Sequence, residues 1–137
     1  MYYIKLIMKN NFFKLVEYLY YFSLAALFIL YLFPGSLIGY FLYGDLGQQP
    51  IIINNPIGTS INHLFFFLYL STLGLIFRSK FKKLINSFKF LISISILLEV
   101  LHLLIPNRAF EYYDLFANSA GVIFTYLLFI LFFKKKN

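Results

Sequence analysis

The residues able to do chemistry gather in one stretch, Glu99 to Gly121, reading EVLHLLIPNRAFEYYDLFANSAG. It holds three of the five acidic residues, one of the two histidines, and Arg108, the one basic residue outside three Lys/Arg clusters. Glu99 and His102 are three residues apart, so they share a helix face. Asp114, Asn118, Gly121 and Thr125 follow one another at +4, +3 and +4, which is one stripe of a second helix. A carboxylate beside an imidazole can pass a proton, and a guanidinium at the mouth of such a groove can grip a phosphate or carboxylate. Glu99, His102 and Asp114 are thus the acid–base candidates. Arg108, Asp114, Asn118 and Glu99 are the binding candidates, and His63 is a contribution to the same pocket from another helix.

Other chemistries find less support. Cysteine is absent, which excludes disulfides, thiolate metal sites and cysteine nucleophiles. Two histidines and a carboxylate are a common zinc set, but His63, His102, Glu99 and Asp114 show no HExxH-type spacing, and no metal or cofactor is assigned. Ser93, Ser95 and Ser119 lack a G-x-S-x-G context. There is no P-loop and no dinucleotide fingerprint.

The elements that must hold these residues follow from composition. The chain has 137 residues, 61% hydrophobic and 12% charged, against roughly 45–50% and about 25% in soluble domains. One domain of this size cannot bury so much apolar surface in its own core, so lipid is the expected solvent. Four apolar runs predict an all-α, four-transmembrane-helix bundle, with spans over 15–33, 61–77, 90–105 and 114–133. Pro34-Gly35 ends the first and Pro106 the third. On the second, His63, Phe67, Leu70 and Gly74 recur at helical spacing. Residues 1–14 read as an interfacial segment that snorkels its lysines, with Glu17 near Lys14. Residues 34–60 hold five of the seven glycines and three of the four prolines and read as a long loop partly inserted between the helices. Within it, Leu37–Tyr43 and Ile51–Ile53 are interfacial pieces too short to span.

The net charge of +7 could point to nucleic acid, but each basic cluster flanks an apolar run, which is the pattern of membrane orientation. Three basic residues precede the first span, five lie between the second and third, and three follow the fourth; the other side has only Arg108. Both termini are therefore expected in the cytoplasm. In that frame Glu99 lies roughly 9 Å below the outer helix end, where an ionised carboxylate costs about 2.5–3.5 kcal/mol. It should face protein and find a partner or a proton. The hairpin of the last two spans brings Asn118 and Gly121 to its depth, with Gly121 letting those two backbones approach. Arg108 can pair with Asp114 through two parallel hydrogen bonds, and Asp114 suits the start of the last helix.

Glu99, Arg108, Asp114, Asn118 and Gly121, in that register and with Pro106 and Phe110, resemble the signature of the VanZ-like membrane protein family. His63 fits the family's earlier histidine, which extends the resemblance over about residues 59–129. Thr59-Ser60 replace the family's Asp-Lys pair, and His102 stands where a glutamine is usual. The resemblance implies a small multi-pass protein of the bacterial cytoplasmic membrane, of a kind associated with low-level resistance to the glycopeptide teicoplanin. The expected function is engagement of an anionic lipid, a lipid-linked envelope precursor or a glycopeptide at the outer leaflet, with membrane lipids as partners. The alternatives are a membrane enzyme, with Glu99, His102 and Asp114 as acid and base and Arg108 as anion clamp, and an accessory subunit whose polar hairpin serves only assembly.

Overall fold

A computed structural model describes residues 2–50 and 58–133 of the chain. Among them are five α-helices, one 3-10 turn and no strand: α1 Tyr2–Leu32, α2 Leu37–Tyr43, α3 Ser60–Lys80, the 3-10 turn Leu84–Asn86, α4 Phe88–Leu101 and α5 Tyr112–Phe133. Three of them contain segments long and apolar enough to cross a membrane, Asn10–Leu32, Ser60–Arg78 and Tyr112–Phe132. The all-helical class holds, and so do the first, second and last expected runs within a few residues.

The third expected run, 90–105, is corrected. Leu103, Leu104 and Ile105 continue the apolar composition, but α4 stops at Leu101 after 14 residues. At about 1.5 Å per residue it measures roughly 21 Å, against about 30 Å of hydrocarbon. Its end tightens into i→i+3 bonds, from the amides of His102, Leu103 and Leu104 to the carbonyls of Glu99, Val100 and Leu101. Pro106 then removes a donor and disfavours helical geometry at Ile105. The start of α4 is sharp, because the Ser87 side chain accepts the Phe90 amide at 3.1 Å.

The long helices pack in the order α1, α3, α5, α4 and back to α1, so the two central hairpin partners in sequence, α3 and α4, barely meet. The most extensive contact joins α3 and α5, which run in the same direction. Gly121 explains it. A Cβ there would lie 2.7 Å from the Leu64 carbonyl oxygen and 2.9 Å from the Leu68 amide nitrogen. Gly121 therefore brings α5 onto α3, not onto α4 as the hairpin reading has it. Thr125 adds a bond to the Leu68 oxygen at 3.3 Å.

The core is a stripe of α1, Val16, Tyr20, Leu24, Leu27 and Tyr31, against Phe67, Leu70 and Phe77 of α3 and Leu91, Ile94 and Leu98 of α4. Outward faces are apolar as well: Phe22 is 74% exposed and Leu104 79%, with Ile29, Leu97, Phe116 and Leu131 also bare. That inverse of a soluble surface is what an acyl-chain solvent calls for. At one end of the helices Glu17 pairs with Lys83 at 3.3 Å, rather than with the Lys14 on its own helix.

The opposite end is built by the segment after α1. Residues Leu37–Tyr43, expected as an interfacial piece, form α2. Ser36 caps it by accepting the Gly39 amide at 2.9 Å, and Gly44 closes it with φ +74°. The chain then turns back, and the Ser36 amide donates to the Leu46 carbonyl at 2.6 Å. Pro50 reaches the head of α3, where Asn62 donates to its carbonyl at 2.7 Å. Ile51–Ile53 lie outside the described residues.

Candidate functional site

The polar residues singled out in the sequence converge at this end, where α1 and α4 finish and α3 and α5 begin. Glu99 and Asn118 are fully buried, and His102 and Asp114 nearly so. The stripe of α5 is borne out: Asp114, Asn118, Gly121 and Thr125 all face inward. His63 joins from the first turns of α3 as a third helix's contribution.

Two imidazole–carboxylate pairs form. His102 Nδ1 lies 3.3 Å from Glu99 Oε1, and His63 Nε2 lies 3.4 Å from Asp114 Oδ2. Tyr31 of α1, which the sequence reading missed, links them. Its ring stacks on His102 at 5.4 Å and meets His63 edge-on at 5.3 Å. Its hydroxyl touches both Asn118 and His63, and its backbone oxygen accepts His102 Nε2 at 3.2 Å. Ser60, the first residue of α3, was also missed. Its hydroxyl donates to Asp114 Oδ1.

Proton positions follow from counting donors. Asn118 Nδ2 donates to the Ser95 carbonyl and to Glu99 Oε2, both at 3.4 Å. Its Oδ1 is thereby turned to Tyr31, whose hydroxyl donates to it at 2.8 Å. The single Tyr31 proton is then committed. The 2.6 Å contact between Tyr31 and His63 must be donated by His63 Nδ1. Glu99 Oε1 also accepts the Glu111 amide at 3.1 Å.

Arg108 does not pair with Asp114. Its Nε donates to the Phe33 carbonyl at 3.2 Å and its Nη2 to the Leu30 carbonyl. The carbonyls that close α1 have no partner within their own helix, and a cation at a helix C-terminus also meets the negative end of the dipole. Asp114 is already taken by Ser60 and His63. Burial draws the guanidinium below its ordinary value against the pull of Tyr31, Glu99 and Asp114, although arginine stays charged. Among the described residues no carboxylate ion-pairs with it, and Nη1 makes no hydrogen bond.

Arg108 instead lines a half-open cavity of about 120 Å³, together with Tyr31, His63, His102, Asn62 and Gln49. Leu37, Ile38 and Pro50 supply an apolar wall, so the segment after α1 does sit against the helices. Asn62 spends its amide nitrogen on Pro50, and its buried Oδ1 has no partner among the described residues. Glu99 does not reach the cavity. It bonds to His102, which lines the cavity, and to Asn118.

Glu111 is exposed just before α5. Burial first, then the charges of Asp114 and Glu99, hold its carboxyl above the usual carboxylate range. Ionising it therefore costs more in the folded protein, and this group's contribution to stability falls as pH rises through its folded pKa. Glu111→Gln is expected to raise the Tm in detergent near pH 7, with the gain vanishing at about pH 3, where both forms are neutral. A variant that melts lower near neutrality would contradict that field.

The chain matches no family model, no curated protein and no solved structure.

Proposed function

We propose that this is a VanZ-like protein of the bacterial cytoplasmic membrane that binds a phosphate-bearing lipid headgroup at the outer leaflet. In this reading the chain crosses four times, with both termini in the cytoplasm. The 3-10 turn, α4 and the turns up to Pro106 together make the third pass. The lysine-rich segments lie inside, and the cavity opens outward beside Arg108.

One observation carries the reading. Arg108 brings a charge to a cavity wall, partly out of water, and among the described residues only backbone carbonyls bind it. A desolvated cation without an anion favours acquiring one, and a planar guanidinium suits phosphate. Asn62, whose buried Oδ1 has no partner among the described residues, lines the same cavity. Size narrows the choice. About 120 Å³ is well under the roughly 300–1,000 Å³ of sites that enclose drug-sized molecules, so a headgroup fits better than a whole glycopeptide.

The enzyme reading draws on the two imidazole–carboxylate pairs. It has less behind it, because His102 uses both nitrogens on Glu99 and Tyr31 and His63 Nδ1 is held by Tyr31. The assembly reading accounts for the buried bonds but leaves the Arg108 and Asn62 atoms without a use.

The test is binding of short-chain phosphatidylglycerol, against phosphatidylcholine, to the detergent-purified protein. Arg108→Gln is expected to weaken the phosphatidylglycerol affinity about 10- to 100-fold, the worth of charge-assisted bonds, and to abolish any envelope phenotype at unchanged protein levels. Equal affinity of wild type and variant would remove the reading, and a matching fall in abundance would favour assembly.

A further inference from the structure

We propose that His63 Nε2 and the carboxylates of Asp114 and Glu99 form a site for one divalent transition ion of the zinc class. It does not depend on the headgroup reading, which concerns Arg108 and Asn62.

Asn118 fixes the hydrogen bonds around His63. Because Tyr31 donates to Asn118, His63 carries its proton on Nδ1 and points the lone pair of Nε2 at Asp114. Asp114 Oδ2 faces it at 3.4 Å with lone pairs of its own, while Oδ1 is occupied by Ser60. Two acceptors thus confront each other in a buried place, and either a proton on Nε2 or a metal cation between them makes the contact favourable. Glu99 brings a third ligand atom, and the three ligand atoms lie within 4.8 Å of one another. Tetrahedral zinc with bonds of about 2.0–2.1 Å keeps its ligands ~3.3 Å apart, so modest closure around an ion completes the set.

The surroundings have the form of a metal site's outer shell. A ligand histidine is normally oriented by a bond from its other nitrogen, and here Tyr31 holds Nδ1 at 2.6 Å. Ser60 orients Asp114, and the Glu111 amide and Asn118 orient Glu99. Among the described residues no lysine or arginine pairs with either carboxylate; their partners are the imidazoles of His102 and His63, so a bound dication adds positive charge that neutral imidazoles do not supply. One imidazole and two carboxylates suit Zn²⁺, and Co²⁺ reports on the same geometry. Of the three ligand residues, His63 also lines the cavity.

The experiment titrates the tag-free, detergent-purified full chain with Zn²⁺ and, separately, with Co²⁺. Expected are one equivalent per chain and a visible Co²⁺ spectrum of a four-coordinate nitrogen–oxygen site. Asp114→Asn and His63→Gln each weaken binding by more than ~10-fold, the loss that outer-sphere changes alone can bring. Glu17→Gln and Asp45→Asn, carboxylates elsewhere in the chain, stay within about twofold of wild type by the same standard. Should a site variant not fold, the wild-type Co²⁺ spectrum decides. Saturation by protons alone, with no metal bound, would overturn the site. So would a six-coordinate aquo-type spectrum, or equal losses in the control variants.

Discussion

Gly121→Leu is expected to abolish the folded protein, and Gly121→Ala to cost about 1–3 kcal/mol, the usual penalty of overpacking. The reason is the identity of the obstacle. The new Cβ would meet main-chain atoms of α3, the Leu64 oxygen at 2.7 Å and the Leu68 nitrogen at 2.9 Å, with Phe67 Cβ at 3.1 Å. None can rotate away. The two helices must separate, and with them the Ser60–Asp114 and His63–Asp114 contacts. Gly74 is the internal comparison. A Cβ there meets Tyr20 Cε2 at 3.0 Å and Leu91 Cδ1 at 3.3 Å, both ends of side chains. Gly74→Ala should therefore cost less than about 1 kcal/mol. Unfolding in mixed micelles measures both, and the reverse order would mean that α5 does not rest on α3.

The second large effect is at Asn118. Asn118→Asp keeps the shape of the side chain but sets an oxygen where Nδ2 faces Glu99 Oε2 and the Ser95 carbonyl at 3.4 Å. The expected loss is about 3–5 kcal/mol, as for a buried charged group deprived of its partner. Asn118→Leu removes the same bonds without adding an acceptor and should lose less, about 1–3 kcal/mol. The less conservative change is thus expected to be the milder one. Thermal unfolding of the pair checks it. If Asn118→Leu proved the worse, the amide would be turned the other way, and the proton assignments at Tyr31 and His63 would turn with it.

Much of this site could be read in the chain because periodicity survives translation into structure. Asp114, Asn118, Gly121 and Thr125 share a face on any helix, whatever that face meets. Which helix it meets is a different matter. Sequence adjacency favoured α4 as the neighbour of Gly121, whereas the packing order makes α3 the neighbour. Arg108 was misassigned for a related reason. Opposite charges six residues apart look like a pair, but the open carbonyls ending α1 compete for the guanidinium and are invisible until α1 has an end. Tyr31 was hidden among twelve tyrosines. Its signal was present nonetheless: Val16, Tyr20, Leu24, Leu27 and Tyr31 step by 4, 4, 3 and 4, a buried stripe with polar tips. The end of α4 could not be located by hydrophobicity, since the three residues before Pro106 remain apolar after the helix has stopped.

The packing order has a further meaning for how the protein is made. Ribosomal synthesis delivers Tyr31, then Ser60 and His63, then Glu99, while Asp114 and Asn118 arrive with the last helix. Until then Ser60 and Glu99 lack the partners that Asp114 and Asn118 will bring, and α3 lacks the flank that Gly121 will occupy. The final helix is a keystone, and the polar centre comes into being in the same event that completes the ring.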